Sequence, residues 1–231
     1  IPFENMTTIV GRNDAGKSTV LEALEIFFNN KTVAIDKADV SVGSSTTDVE
    51  ITCIFSGESE DIVIDSTYST SLSQEYLLNE NGLLEIKKVY PCAASKIKEK
   101  TYIICNHPNK DKFSDLLLLN QTKLKLRAHD LGVDESTYNR TINTEIRKAI
   151  WNSEQTLDIQ QTEIPVDKED TKKIYGSLKK YLPIYNLFQS DRSSNDGDRE
   201  VTEPMKVAVQ NAIDEAKDKI EEIKELVRKE A

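Results

Sequence analysis

The strongest constraint on this chain is one run near its N-terminus, Gly11-Arg12-Asn13-Asp14-Ala15-Gly16-Lys17-Ser18-Thr19. It has the form G-x-x-x-x-G-K-[ST] and lies between two contrasting segments. Met6-Thr7-Thr8-Ile9-Val10 is short and β-branched and predicts a strand. Val20, Leu21, Leu24, Phe27 and Phe28 recur at helical spacing and predict a helix with one apolar stripe, which Asn29-Asn30 ends. A glycine loop between a strand and a helix has a specific chemistry. Gly11 and Gly16 let the backbone wrap closely where a Cβ would collide. Successive backbone N–H groups can then converge on an anion, and the N-terminus of the following helix adds a partial positive charge.

This is the P-loop pattern. In it Lys17 supplies a full charge to the β- and γ-phosphates of a nucleotide, and Ser18 supplies a hydroxyl to a magnesium ion. ATP and Mg2+ are therefore the expected cofactors. The candidate binding residues are Gly11, Arg12, Asn13, Asp14, Ala15, Gly16, Lys17, Ser18 and Thr19, with Lys17 also catalytic and Ser18 also a metal ligand. By chance the pattern would arise in roughly 1 of 100 chains of this length, and the flanking strand and helix reduce that further. A GTPase would also need an Asn-Lys-x-Asp guanine reader. Asn109-Lys110-Asp111-Lys112 comes near it but ends in Lys.

The loop has a family character. Asn13 at its third position, then Ala15 to Thr19 and a helix containing Glu22-Ala23-Leu24, resembles the pattern of the ABC-like ATPases of DNA maintenance. These are the SMC, RecF and OLD (overcoming-lysogenization-defect) proteins. Asp14 stands where many members have glycine. The resemblance implies the N-terminal ATPase lobe of an OLD-like (AAA15-type) ATP-binding protein. The expected fold is α/β: a P-loop NTPase, ABC-like first lobe with an antiparallel β subdomain, a helical insertion and a C-terminal coiled-coil-like helix. The resemblance also implies heads that sandwich ATP as a homodimer or higher oligomer, acting with DNA or with a nuclease or effector subunit. Their role would lie in DNA maintenance or antiphage defence.

Further along, Asp48 to Phe55 alternates polar and apolar residues and predicts a half-buried strand. Asp61 to Asp65 is a second candidate. Leu83 to Tyr90 and Thr101 to Cys105 predict an antiparallel pair around a loop holding Lys96, Lys98 and Lys100. Residues 112–152 turn helical, with Asp134-Glu135-Ser136-Thr137 as a helix start before Ile142, Ile146, Ala149 and Ile150. Residues 151–169 read as a linker, Thr171 to Tyr181 as a helix, and Pro183 to Phe188 as a strand. The organisation expected is 1–110 core and antiparallel β region, 111–170 helical insertion and linker, 171–200 return to the core, and 201–231 the start of a helical arm. In that arm Val209, Ile213, Ala216, Ile220, Ile223 and Val227 trace a heptad seam.

Gln189 follows the Pro183 segment. In ABC-type ATPases a glutamine just after a core strand touches the magnesium and the attacking water, so the resemblance makes Gln189 a catalytic and metal-binding candidate. An amide suits this because its oxygen can face a metal while it bonds water. No run of four apolar residues in the 231 leads into Asp-Glu, the usual source of the catalytic carboxylate. Ser56-Gly57-Glu58 reads as a turn rather than a signature motif. The chain lacks an initiator Met and reads as starting inside a longer protein, with a second lobe further on. Turnover by this chain alone is expected to be slow.

Composition narrows the partners. A formal charge of −10 gives no overall attraction to nucleic acid, so any such contact needs a local basic patch, a partner or another part of the protein. No segment reaches the ~18 apolar residues of a membrane helix. Cys53, Cys92 and Cys105 fit no metal spacing and read as reduced thiols, mostly buried, of a cytoplasmic protein. His107 and His129 stand apart and suggest no ligand pair. The alternatives are a nucleotide-controlled scaffold with little turnover and a P-loop small-molecule kinase.

Overall fold

The computed structural model describes residues 1–29, 33–56, 62–65, 68–187 and 213. Its chain divides into two compact units. One comprises Ile1–Ala34 with Pro183–Ala231, the other Ile35–Leu182.

In the first unit the element after the glycine loop is α1 (Lys17–Phe28). It forms as its periodicity dictates, with Phe27 buried. It ends at Asn29, whose left-handed backbone (φ 58°) turns its N–H back toward the Glu25 and Ile26 carbonyls. The strand expected over Met6–Val10 is not formed. Met6 and Val10 are each 88% exposed, and no described strand pairs with them. β-branched residues favour a strand only where a neighbouring strand takes up their N–H and C=O groups, and among the described residues none does. Pro183 to Leu187 likewise carries no strand, and Phe188 lies outside the described residues, as do Gln189 and, apart from Ile213, the heptad segment.

The second unit is an antiparallel sheet with helices. Its strands are β1 (Asp48–Phe55), β2 (Ile62–Asp65), β3 (Tyr68–Thr70), β4 (Leu84–Pro91), β5 (Lys100–Pro108) and β6 (Ile159–Pro165). The main sheet has the order β1-β4-β5-β6, and β2 pairs with β3 separately. The register aligns Cys53, Ile86, Ile103 and Ile164 across all four strands on the inner face. Their neighbours along each strand face the other way, which is the alternation the sequence shows in β1. The 151–169 segment, expected as a linker, contains β6. That strand was hidden because it is an edge: only Ile164 among its residues is buried, and Gln160, Gln161 and Glu163 face water.

Three helices accompany the sheet: α2 (Gln121–Asp130), α3 (Asn143–Asn152) and α4 (Glu169–Leu178). Asn120 caps α2 by accepting from the Lys123 N–H at 3.0 Å. Gly132 ends it with φ 67°, as the Val133 N–H reaches the Ala128 carbonyl. The start expected at Asp134 exists, but it caps only a 3-10 turn, Glu135–Thr137. The helix bearing Ile146 and Ile150 begins at Asn143. Phe113 to Leu119 forms a 3-10 turn at Leu116–Leu118 with Leu116 and Leu117 fully buried.

The centre of this unit is ionic. Arg147 is fully buried on α3 and donates through Nε and Nη2 to both carboxylate oxygens of Glu75, each at 2.8 Å. Its Nη1 donates to Asp170 of α4, which also accepts from the Asn143 amide at 2.9 Å. Thr70 at the end of β3 donates to Glu75 at 3.1 Å. The planar guanidinium thus ties three stretches far apart in sequence.

His107 is fully buried beside this cluster, edge-on to Tyr76 and Trp151. Its Nδ1 lies 3.1 Å from the Tyr76 carbonyl. Burial lowers its pKa, the Tyr76 and Ser114 carbonyls oppose this, and the Arg147 charge adds to it. The folded protein therefore keeps His107 neutral at pH values where the unfolded chain protonates it. Stability should fall as pH drops below about 6.5, the ordinary histidine value, because the unfolded state then binds more protons. The loss is at most about 2 kcal/mol by pH 5, at about 1.4 kcal/mol per pH unit. Urea midpoints from pH 8 to pH 5 should show the slope, and His107→Leu should flatten it. A slope surviving in a folded His107→Leu variant would assign it to the carboxylates instead.

Candidate nucleotide-binding site

The Gly11–Thr19 loop is bent by two left-handed residues, Asp14 (φ 62°) and Gly16 (φ 79°). Gly16 is the N-cap of α1, and a side chain there would be strained whatever the space around it. The Gly11 requirement is weaker: a Cβ would meet Ala15 and Lys17 at 3.6–3.9 Å, ordinary contact. Two backbone bonds close the loop, from the Ala15 N–H to the Arg12 carbonyl at 3.3 Å and from the Val20 N–H to the Gly16 carbonyl at 3.2 Å.

Lys17 folds back over this loop. Its Nζ donates to the Gly11 carbonyl at 3.0 Å and to the Arg12 carbonyl at 2.6 Å. The ammonium is thereby held at the open end of the helix. No side chain caps α1 and no acidic residue sits in its first turn, so its leading N–H groups keep their positive potential. Arg12, Asn13, Ser18 and Thr19 are exposed around them. Asp14 is the one carboxylate in the loop. The site therefore offers a lysine cation, uncapped N–H groups and hydroxyls along a glycine turn, a donor set that fits a polyphosphate.

A magnesium ion fits less completely. Among the described residues no group of three or more His, Cys, Asp or Glu side chains could hold a metal. Ser18 is the ligand that the P-loop pattern leads one to expect from the loop. Magnesium commonly keeps several waters and is shared with substrate phosphates, so a single hydroxyl beside a triphosphate is chemically adequate. Gln189, the other expected ligand, lies outside the described residues.

Tyr185 escaped the sequence reading. Its hydroxyl donates to the Leu21 carbonyl at 2.8 Å, and its ring stacks on Phe28 with centroids 5.7 Å apart and an 18° interplanar angle. Burial raises its pKa, and the Glu25 charge raises it further. It joins two chain segments of the first unit at the helix that presents Lys17 and Ser18. The Pro183 to Leu187 run gave an apolar signal, but nothing local could say that it packs on α1.

Residues set aside in the sequence have places of their own in the second unit. Asn109 leaves β5 and donates to Gln160 at 2.9 Å, while Lys110 pairs with Glu154, so the near match to a guanine reader is a strand exit. Cys92 and Cys105 are buried and Cys53 half-buried, all free thiols. Burial pushes the Cys105 thiol up to about 12 and Cys53 to about 11, which leaves neither reactive at neutral pH. Among the described residues no helix is long and apolar enough to cross a membrane.

The model of one protein family, described as an AAA ATPase domain, matches residues 1–230. Searches of curated proteins and of solved structures each found no match.

Proposed function

This chain belongs to the AAA ATPase domain family, and from that premise we propose that it binds magnesium–ATP at the Gly11–Thr19 loop, as the first lobe of an SMC/RecF/OLD-like ATPase. The observation that carries the reading is Lys17, held across the loop carbonyls at the uncapped start of α1. Lys17 would neutralise the β- and γ-phosphates, the α1 N–H groups would bond their oxygens, and Ser18 would orient the ion. Magnesium would supply charge neutralisation between those phosphates. Gln189 is assigned to the ion and the attacking water on its resemblance alone. In the whole protein, paired heads would couple ATP binding to work in DNA maintenance or antiphage defence.

The reading is tested by titrating a fluorescent ATP analogue with magnesium and with EDTA. Tighter binding in magnesium is expected. Ser18→Ala should leave the EDTA value alone and remove most of the enhancement, a change of about tenfold for one lost ligand. No analogue binding to the folded parent in either buffer would overturn the proposal. Equal loss in both buffers would move Ser18 from the ion to the phosphates.

A further inference from the structure

One residue of the glycine loop opposes the chemistry of its neighbours. Asp14 brings a negative charge into a loop whose cations, uncapped N–H groups and hydroxyls all attract anions. The Ala15 N–H reaches the Arg12 carbonyl at 3.3 Å and closes a turn over Arg12–Ala15. Of its two central residues, Asn13 and Asp14, only Asp14 has a positive φ (62°). That is the pattern of a type II turn, in which the position is ordinarily glycine. Aspartate is tolerated in the left-handed region, but it adds both a Cβ and a charge there.

No cation takes up this charge. The Arg12 carbonyl that closes the turn also accepts from the Lys17 Nζ at 2.6 Å, and the Gly11 carbonyl accepts from it at 3.0 Å. The ammonium is therefore held by backbone oxygens of the loop and not by the carboxylate. Asp14 is exposed, and among the described residues its side chain makes neither a hydrogen bond nor an ion pair. No acidic residue stands in the first turn of α1. Within Gly11–Thr19 the charges are thus Arg12 and Lys17 against Asp14. A polyphosphate must share the turn with that carboxylate.

We propose that Asp14 sets which form of the nucleotide the loop accepts, repelling a bare triphosphate and admitting one already complexed with a divalent cation. The inference rests on the nucleotide reading above. A nucleoside triphosphate carries about four negative charges when free and about two as its magnesium complex. Coulomb energy scales with the product of the charges, so one carboxylate opposes the free form about twice as strongly as the complex. The same scaling makes Arg12 and Lys17 favour the free form. A loop with those two cations alone would prefer a bare triphosphate. Asp14 cancels one of the two charges, which leaves the contact of the ion with Ser18 to decide.

The test titrates the 231-residue chain with a fluorescent ATP analogue whose triphosphate is intact, in EDTA and in excess magnesium at a matched ionic strength of about 20 mM. Asp14→Asn keeps the side-chain shape and is tolerated in the left-handed region, whereas Asp14→Gly also removes the Cβ. Both variants should bind the analogue about tenfold more tightly than the parent in EDTA and about threefold more tightly in magnesium. Matching gains in the two variants assign the effect to charge. Raising the ionic strength to about 500 mM should remove most of both gains, because the screening length falls from about 20 Å to about 4 Å. If the parent binds but Asp14→Asn gains equally in both buffers, or not at all, the role of Asp14 is overturned and the nucleotide site stands. A gain confined to Asp14→Gly has the same meaning, since it assigns the effect to the backbone. Weaker binding of the magnesium complex by Asp14→Asn would make the carboxylate a contact of the ion, which also overturns the proposal. A folded parent that binds in neither buffer overturns both readings together.

Discussion

Lys17→Ala is expected to weaken binding of a fluorescent ATP analogue at least about a hundredfold, roughly 3 kcal/mol, with little change in melting temperature. The size follows from where the ammonium stands. It has three N–H donors, of which two are spent on the Gly11 and Arg12 carbonyls. The third and the full charge remain for phosphate. Those carbonyl bonds also keep the long side chain at the loop before nucleotide arrives, so binding need not order it afterwards. Alanine removes charge, donor and preorganisation together. The effect on folding is small because the pair of bonds is solvent-exposed. A folded Lys17→Ala variant that binds the analogue like the parent would sink the site assignment, whatever the family.

Arg147→Met is expected to have the largest effect on stability, about 3–5 kcal/mol. Methionine fills much of the volume but leaves Glu75 and Asp170 buried with no cation between them. Burial alone would raise the Asp170 pKa, yet the Arg147 charge and the Asn143 amide hold it below the ordinary carboxylate range. That balance means the site contributes stability above the ordinary range and loses it as pH falls through the lowered value. Without Arg147 the burial of Asp170 is opposed only by the Asn143 amide and the Lys173 ammonium, 3.2 Å away. In a unit of this size the melting temperature should fall by roughly 10 °C or more. Adding Glu75→Gln and Asp170→Asn should recover a large part, since an uncharged cluster no longer strands a charge. A loss under about 1 kcal/mol in the single variant would mean that water reaches the carboxylates.

The two regions also show what a sequence can and cannot reveal. Gly16 and Lys17 were legible because the loop chemistry is local: a left-handed turn, a helix start and a cation within a few residues. β1, β4 and β5 were legible for the same reason, since alternation such as Glu50-Ile51-Thr52-Cys53 is written along one strand. β6 was not, because an edge strand with one buried side chain has no alternation to display. The Arg147 cluster was invisible because Glu75 lies 72 residues away and Asp170 lies 23 away. Only the packed fold brings those charges together. The Met6–Val10 expectation failed in the opposite sense: its composition favours a strand, but pairing decides whether one forms.

The division of the chain has a consequence for synthesis. The second unit is one uninterrupted stretch, Ile35–Leu182, whereas the first is assembled from the two ends that flank it. A ribosome therefore releases the start of the first unit, then a whole self-contained unit, and only later the residues that complete the first. At about 5–20 residues per second, the glycine loop and α1 wait roughly ten seconds or longer for their partner. The contact that ends the wait is Tyr185 on Leu21, which closes a span of 164 residues. During that interval the whole of the inserted stretch is released before the two segments of the first unit can meet. Translation speed across residues 35–182 thus sets how long Phe28 stands without the ring that stacks on it.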